Sequence, residues 1–201
     1  NVCHDLCIFD YFSMILNVLK LIFPDEDKNK YPSLWAELLL KYPVTVWLSV
    51  PTIMRLIFMS VKNEFNNIKF TTLRIVQLGG EFITEDLYKQ VRYHMPSAEI
   101  YNIGCPTETT VINIIHKITE KDIKKGIIPY GKPIWNTQYF ILNEDMQLAR
   151  VGEEGIIYNG GYCVTRGYLS KELTKERYII HPDLNIRLYN TGDLGKYDED
   201  G

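Results

Sequence analysis

Two strings far apart in the chain carry residue types that can handle a phosphorylated ligand: Cys105-Pro106-Thr107-Glu108-Thr109-Thr110 and Tyr189-Asn190-Thr191-Gly192-Asp193-Leu194. Each sets hydroxyls and a carboxylate in a turn beside Gly or Pro, and turns lie at the surface, where ligands reach them. Thr hydroxyls donate to phosphate oxygens, Glu can hold a hard cation such as Mg²⁺, and Asp accepts from ribose hydroxyls. Together they suggest a nucleoside triphosphate site. Plainer readings stand beside this one. Thr107 could open a capping box, although Thr110 occupies the place of the expected Glu or Gln. Thr191-Gly192-Asp193 could be an Asx-type hairpin turn.

The remaining polar candidates say less. Gly79-Gly80-Glu81 lacks the GxGxxG spacing and the Lys of a phosphate loop. Gly160-Gly161 and Arg166-Gly167-Tyr168 read as bends allowed by glycine. His4, His94, His116 and His181 are scattered and support no triad. Cys3, Cys7, Cys105 and Cys163 form no CxxC pair. Cys3 and Cys7 with His4 could bind metal, but small buried thiols in a reducing compartment are the simpler reading.

The elements that must position these groups come in two rhythms. The continuous apolar run over 11–23 predicts a buried helix, followed by a charged loop from Asp25 to Lys30. Ser33 can cap a helix over 34–41 that stops before Pro43. Val44 to Val50 reads as a buried strand, and Pro51 opens a helix to Val61. Leu73 to Leu78 is a strand ended by Gly79-Gly80. Thr84 caps a helix over 85–94, and a third strand starts at Ile100 to Asn102. This alternation predicts an α/β fold with a parallel sheet, whose ligands sit at the carboxyl ends of strands. Ser49, Gly79-Gly80-Glu81 and Asn102 to Thr110 fall there. After the charged stretch Glu120–Lys125, short β segments (138–142, 155–159, 187–190) and a helix over 171–178 suggest a smaller, mostly antiparallel, β-barrel-like subdomain. The expected division is 1–120 and 121–201.

With 201 residues, 46% of them hydrophobic, the chain can bury a real core. A net charge of −3 leaves no basic excess for nucleic acid. No apolar run reaches the ~18 residues of a membrane span. Asp5 and Asp10 interrupt the apolar start, which lacks a basic n-region, so it is not a signal peptide. A cytoplasmic location is expected. Asn1 is not Met, and Asp198 to Gly201 look like a hairpin turn without its second strand, so the sequence reads as a piece of a longer protein.

Taken together, the strings resemble the adenylate-forming superfamily, and within it the amino-acid adenylation domains of nonribosomal peptide synthetases. Asn102-Ile103-Gly104-Cys105-Pro106-Thr107-Glu108 is similar to N-x-Y-G-P-T-E. Gly155 to Gly161, continuing through Val164-Thr165-Arg166-Gly167-Tyr168-Leu169, is similar to G-E-L-x-I-x-G-x-x-V-A-R-G-Y-L. Tyr189 to Leu194 resembles Y-R-T-G-D-L, and His4 to Phe12 resembles F-D-x-S-V-x-D/E-x-F. The four occur in the family's order.

The resemblance implies roles. Glu108 would ligate Mg²⁺ and Thr107 would contact phosphates, while Asp193 would hold the ribose hydroxyls. Gly79, Gly80 and Glu81, with Asn102, Ile103 and Gly104, would line the adenine slot. Asp5 would pair with a substrate α-ammonium, a charge-assisted contact. Leu6, Phe9, Leu48, Val76, Leu78, Ile103, Val111 and Ile112 would line the side-chain pocket, which implies a small or medium aliphatic amino acid, because burying a charge there is costly. The implied reaction is ATP-dependent formation of an aminoacyl-adenylate. The implied partners are ATP, the amino acid, a C-terminal adenylation subdomain and a carrier domain bearing phosphopantetheine.

The sequence also departs from the pattern. Gly104 stands where the motif has Tyr, and Cys105 where it has Gly, which removes an adenine stack worth about 1 kcal/mol; Phe82 or a neighbour is the candidate to compensate. A phosphate loop before Asn1 and a hinge with a mobile domain after Gly201 are expected but absent from this sequence, so the fragment alone is expected to be inactive. Two alternatives are an acyl- or aryl-acid ligase and a catalytically silent module that keeps the fold.

Overall fold

The computed structural model describes residues 4–24, 30–64 and 67–201. Cys3 and residues 25–29 of the expected charged loop lie outside the described residues. The chain divides into two units: Asn1–Gly104 with Ile115–Gly131, and Cys105–Ile114 with Lys132–Gly201. The sequence suggested a break after residue 120. The observed one falls after Gly131, and Cys105–Ile114 goes with the second unit.

The first unit holds α1 (Leu6–Asn17), α2 (Pro32–Lys41), β1 (Val46–Ser49), α3 (Pro51–Glu64), β2 (Ile75–Gly79), α4 (Glu85–His94), β3 (Glu99–Gly104), β4 (Ile114–Lys117) and α5 (Glu120–Lys125). Strands β1 to β4 are neighbours in chain order. β1 runs parallel to β2, and β2 parallel to β3. That is the parallel α/β arrangement the alternation of elements predicted.

Register sorts the strand residues onto two faces. Trp47 pairs with Val76, and Val76 with Ile100. Val76, Leu78 and Ile100 belong to the hydrophobic core, together with Met54, Ile57 and Phe58 of α3 and Leu87 and Val91 of α4. Fully burying a side chain of this size contributes about 1.5–3 kcal/mol. Because strand side chains alternate, Leu48, Gln77 and Ile103 face the other way. α4 can be explained residue by residue. The Thr84 hydroxyl accepts from Leu87 N (3.3 Å), Glu85 and Asp86 occupy the first turn, and Leu87, Tyr88 and Val91 form the buried stripe.

Two helices differ from the sequence reading. α2 begins at Pro32 with no side-chain cap, so Ser33 sits inside it. Proline's missing N–H costs nothing at a helix start. The apolar run expected as a buried helix over 11–23 forms α1 over Leu6–Asn17, with no buried residue. Ile15 is 64% and Leu16 75% exposed. A run that is apolar on every side does not fix where a helix ends; Val18, left-handed at φ 53°, ends this one.

The second unit holds β5 (Lys132–Pro133), β6 (Thr137–Leu142), β7 (Gly155–Gly161), α6 (Lys171–Arg177), β8 (Tyr178–Ile180) and β9 (Arg187–Gly195). An antiparallel sheet runs in the order β6-β7-β9-β8. Among the described residues it is open, not a closed barrel: four strands are too few to curl into a ring with a filled interior. One face, with Phe140, Leu142, Ile156, Tyr158 and Leu188, builds a small core. The opposite face carries Tyr139, Asn159, Tyr178, Arg187 and Tyr189.

Candidate functional site

Thr107–Thr109 form a single 3-10 turn after Pro106, and Thr110 follows at φ 70°. This is not the capping box considered from sequence, since no side-chain cap bond forms. The turn is instead fastened to the loop between β7 and α6. Thr165 N donates to Glu108 O (2.9 Å), and the Thr110 hydroxyl donates to Cys163 O (2.8 Å). Tyr168 Oη donates to Glu108 Oε1 at 2.6 Å and lies 3.5 Å from Tyr189 Oη. Tyr168 belongs to the Arg-Gly-Tyr string and Tyr189 opens the Tyr-Asn-Thr-Gly-Asp string. Two motif strings therefore meet at one carboxylate, and the third reaches it through Tyr168. Burial, then donation to Glu108, pushes the Tyr168 hydroxyl well above the usual phenol range, so it remains a donor. Burial also raises Tyr189.

Tyrosines knit this face together. Tyr178 packs edge-on to Tyr168 (5.6 Å) and tilted to Tyr189 (5.2 Å). Arg187 lies over the Tyr178 ring at 4.5 Å. Beneath the turn, Asn113 is fully buried and satisfied on both sides. Its Nδ2 donates to Thr109 Oγ1 (2.6 Å), and its Oδ1 accepts from Tyr139 Oη (2.7 Å). Asn159, also 0% exposed, has no hydrogen-bond partner on either side-chain polar atom among the described residues.

Asp193 lies on a bulge of β9, not in a hairpin turn. Ile156 pairs with Leu194 and Tyr158 with Asn190, so the segment around Thr191 is longer than its partner. Gly192 (φ 80°) donates to Asn190 Oδ1, Asp193 N donates to Thr191 Oγ1, and the Thr191 hydroxyl donates to Ile157 O. The Asx geometry read from sequence is present, and the bulge leaves Asp193 exposed. Thr107 is exposed and Glu108 half-buried, and both belong to the same unit as Asp193.

Of the other expected site residues, Val111 (buried) and Ile112 (half-buried) lie in the second unit. Gly79, Gly80, Glu81, Asn102, Ile103 and Gly104 lie in the first. A Cβ on Gly79 would stand 2.5 Å from Ile103 O, so only glycine fits there. Glu81 accepts from Thr52 N (3.0 Å) and Thr52 Oγ1 (2.6 Å), which fastens it to the start of α3. Asn102 Nδ2 donates to Pro129 O (2.9 Å). Phe82 is 94% exposed. Asp5 Oδ1 lies 3.1 Å from His4 Nδ1, while its Oδ2 is buried with no partner among the described residues. Leu6 and Phe9 on α1 are half-buried.

The expected pocket lining needs one correction. Val76 and Leu78, each 0% exposed, point into the core packed by α3 and α4, so they do not share a face with Leu48 and Ile103. Gln77 does, and its Oε1 is buried without a partner among the described residues. Sequence reasoning also passed over Tyr178, Arg187 and Asn113 and treated Tyr168 only as part of a string; the chain's 14 tyrosines were a signal for Tyr178 and Tyr168, and nothing local marked Arg187 or Asn113. No group of three or more His, Cys, Asp or Glu that could hold a metal occurs among the described residues. Among these residues, no helix is long and apolar enough to cross a membrane.

A family model described as AMP-binding enzyme matches residues 1–169. The chain is 34% identical over 203 residues to bacitracin synthase 1 of Bacillus licheniformis, covering 100% of this chain and 4% of that protein. It is 30% identical over 198 residues to pyochelin synthetase PchF of Pseudomonas aeruginosa, covering 98% and 11%. Among solved structures it resembles the nonribosomal peptide synthetase FmoA3, with a TM-score of 0.78 and 32% identity, covering 85% of this chain and 18% of that one. The chain therefore belongs to the AMP-binding enzyme family, and its sequence is an adenylation-domain stretch of the nonribosomal peptide synthetase kind. It spans only a small part of the length of the curated relatives it matches.

Proposed function

We propose that this chain carries nucleotide- and amino-acid-binding groups of an ATP-dependent adenylation domain. The observation that carries the reading is the bond from Tyr168 to Glu108 of the Thr107-Glu108 turn, with Tyr189 behind Tyr168. A hydrogen-bonded carboxylate on an exposed turn suits Mg²⁺, which binds through one or two carboxylates plus substrate phosphates. Tyr168 takes one of the several lone-pair positions of that carboxylate and leaves others for a cation. Glu108 would hold the ion, whose contribution is to neutralise phosphate charge.

The chain's other groups bind and orient. The exposed Thr107 hydroxyl donates to phosphate, and Asp193 on its bulge accepts from ribose hydroxyls. The adenine contacts of Gly79, Gly80, Glu81 and the Asn102–Gly104 backbone rest on the resemblance; Phe82, 94% exposed, or a neighbour is the candidate to replace the stack lost at Gly104. The amino-acid carboxylate attacks the α-phosphorus of ATP, the bond to the bridging oxygen breaks, and pyrophosphate leaves. No protein nucleophile is required; orientation and charge neutralisation carry the step. FmoA3 has been crystallised in AMPPNP-bound and α-methyl-L-serine-AMP-bound forms, which supports both the nucleotide and the amino-acyl-adenylate. Transfer to the phosphopantetheine thiol of a carrier domain, with help from a C-terminal adenylation subdomain, follows from the same reading.

Asp5 favours an amino acid over a plain acid. Its Oδ2, buried without a partner, gains a charge-assisted bond from an α-ammonium. By the resemblance, Leu6, Phe9, Leu48 and Ile103 suit a small or medium aliphatic side chain, as do Val111 and Ile112; Gln77, paired with Leu48, adds a polar group to the strand face of Leu48 and Ile103. ATP–pyrophosphate exchange by the full-length protein over an amino-acid panel tests this. Exchange with an aliphatic amino acid, lost roughly 100-fold or more in Glu108→Gln, is expected. A preference for Asp, Lys or Arg, or for an acid lacking the amino group, refutes the substrate assignment.

A further inference from the structure

Arg187 donates through Nη1 to Thr165 O and through Nη2 to Arg166 O (2.8 Å). Its guanidinium thus grips two successive carbonyls of the loop that leads to Tyr168. The plane of Arg187 covers Tyr178, whose hydroxyl lies 2.8 Å from Thr165 Oγ1 and whose ring meets Tyr168 edge-on. On the far side, Tyr168 N donates to Thr174 Oγ1 (2.8 Å) at the first turns of α6. Gly167, at φ +131°, packs so tightly that a Cβ would come within 2.4 Å of Thr174 Cγ2. Tyr168 is therefore fixed by its backbone, its ring and its hydroxyl. That hydroxyl reaches Glu108 Oε1, while Thr165 N holds the Glu108 carbonyl.

A carboxylate on a three-residue turn is free to rotate about its own bonds unless something orients it. Here the loop supplies both a backbone donor and a side-chain donor to the same glutamate. An immobilised tyrosine costs little further entropy when it makes such a bond, because two stiff torsions are already set by packing.

We propose that Tyr168 is a positioning residue for the Glu108 carboxylate toward a divalent cation, and that Arg187 holds the loop that presents it. The proposal rests on the reading of Glu108 as the cation-binding group. Partners that orient a metal-binding group typically shift metal affinity by roughly 10-fold or more when removed.

The test uses the full-length protein, with the ATP analogue AMPPNP and Mn²⁺ as probes and the melting temperature as readout, so it needs no turnover. Tyr168→Phe is expected to raise the Mn²⁺ concentration giving half of the AMPPNP-dependent stabilisation about 10-fold. Arg187→Lys, which keeps the charge but loses the two-pronged grip, is expected to shift it in the same direction by a smaller factor. The small stabilisation by AMPPNP in EDTA should be unchanged in both. Glu108→Gln should abolish the Mn²⁺-dependent part; if it does not, the cation-binding reading of Glu108 fails and the proposal with it. If Glu108→Gln behaves as expected but Tyr168→Phe leaves the Mn²⁺ midpoint in place, or weakens the metal-free and metal-dependent parts alike, the positioning role alone is overturned. The melting temperature without ligands shows whether either variant has lost its fold, and Arg187→Lys keeps the question answerable if Tyr168→Phe has.

Discussion

Asn113 and Asn159 are the same residue type in the same unit, both 0% exposed, yet they should respond in opposite directions to one substitution. Leucine matches asparagine in the number and branching of its side-chain heavy atoms, is bulkier because methyl groups replace O and NH₂, and removes both polar functions. At Asn113 the exchange deletes bonds to Thr109 (2.6 Å) and from Tyr139 (2.7 Å). Two such bonds, with the desolvated groups left behind, come to about 2–3 kcal/mol of lost stability. At Asn159 neither polar atom has a partner among the described residues, so leucine removes only a desolvation cost. The gain should be about 2 kcal/mol at most, reduced by the strain that the bulkier methyl groups meet at this fully buried site. For a chain of this size that upper value is roughly a 4–8 °C rise in melting temperature. Urea unfolding of the two variants beside the unaltered chain measures both effects, with an unchanged m-value as the check that only stability moved. A lower midpoint for Asn159→Leu would refute the reasoning: either the buried amide makes bonds in solution or the site cannot take the larger side chain.

Leu78→Ala should cost about 2–5 kcal/mol in unfolding free energy, as expected for a fully buried core leucine. Leu48→Ala should cost less and instead change which amino acid supports pyrophosphate exchange; the reverse pattern would put Leu78 back on the substrate side. Asp122 supplies a pH dependence. Burial alone would raise its pKa, but hydrogen bonds from the Thr119 hydroxyl, His116 and Thr119 N outweigh burial and hold it below the ordinary carboxylate value. A depressed folded-state pKa stabilises above the unfolded value of about 4 and is lost as pH falls through the folded one. The stability gap between the unaltered chain and Asp122→Asn should therefore be open at pH 7 and narrow as pH falls below the unfolded value of about 4 in urea titrations.

How much the sequence disclosed depended on whether the signal was local. Thr84, the acidic first turn and Pro96 bracket α4 within a dozen residues, and its limits come out as read. Gly79-Gly80 likewise marks the end of β2. The faces of β2 could not be read, because Val76-Gln77-Leu78 lies within a strand covered on both sides, where hydrophobicity does not alternate cleanly. Only register with Leu48 and Ile103 shows that Gln77, not its neighbours, shares their side. Glu108 and Asp193 stood out by type and setting. What orients Glu108 did not, because Tyr168 lies 60 positions further along the chain. Glu120–Lys125 looked like a charged connector. It is a helix fixed by the reciprocal Thr119–Asp122 bonds, a capping box closed by Asp where Glu or Gln is the usual signal. α1 misled because uniform apolarity carries no phase.

The interrupted path of the second unit also bears on recombination. Residues 105–114 are encoded ahead of the last stretch of the first unit, whereas the tyrosine that contacts Glu108 follows much later. A gene crossover with a relative at position 131 would transplant Tyr168 and Arg187 while leaving the native glutamate behind, and so mate halves with separate histories at one hydrogen bond. Chimeras that keep activity should be those whose donor and recipient agree at that bond, or whose junctions fall before Cys105.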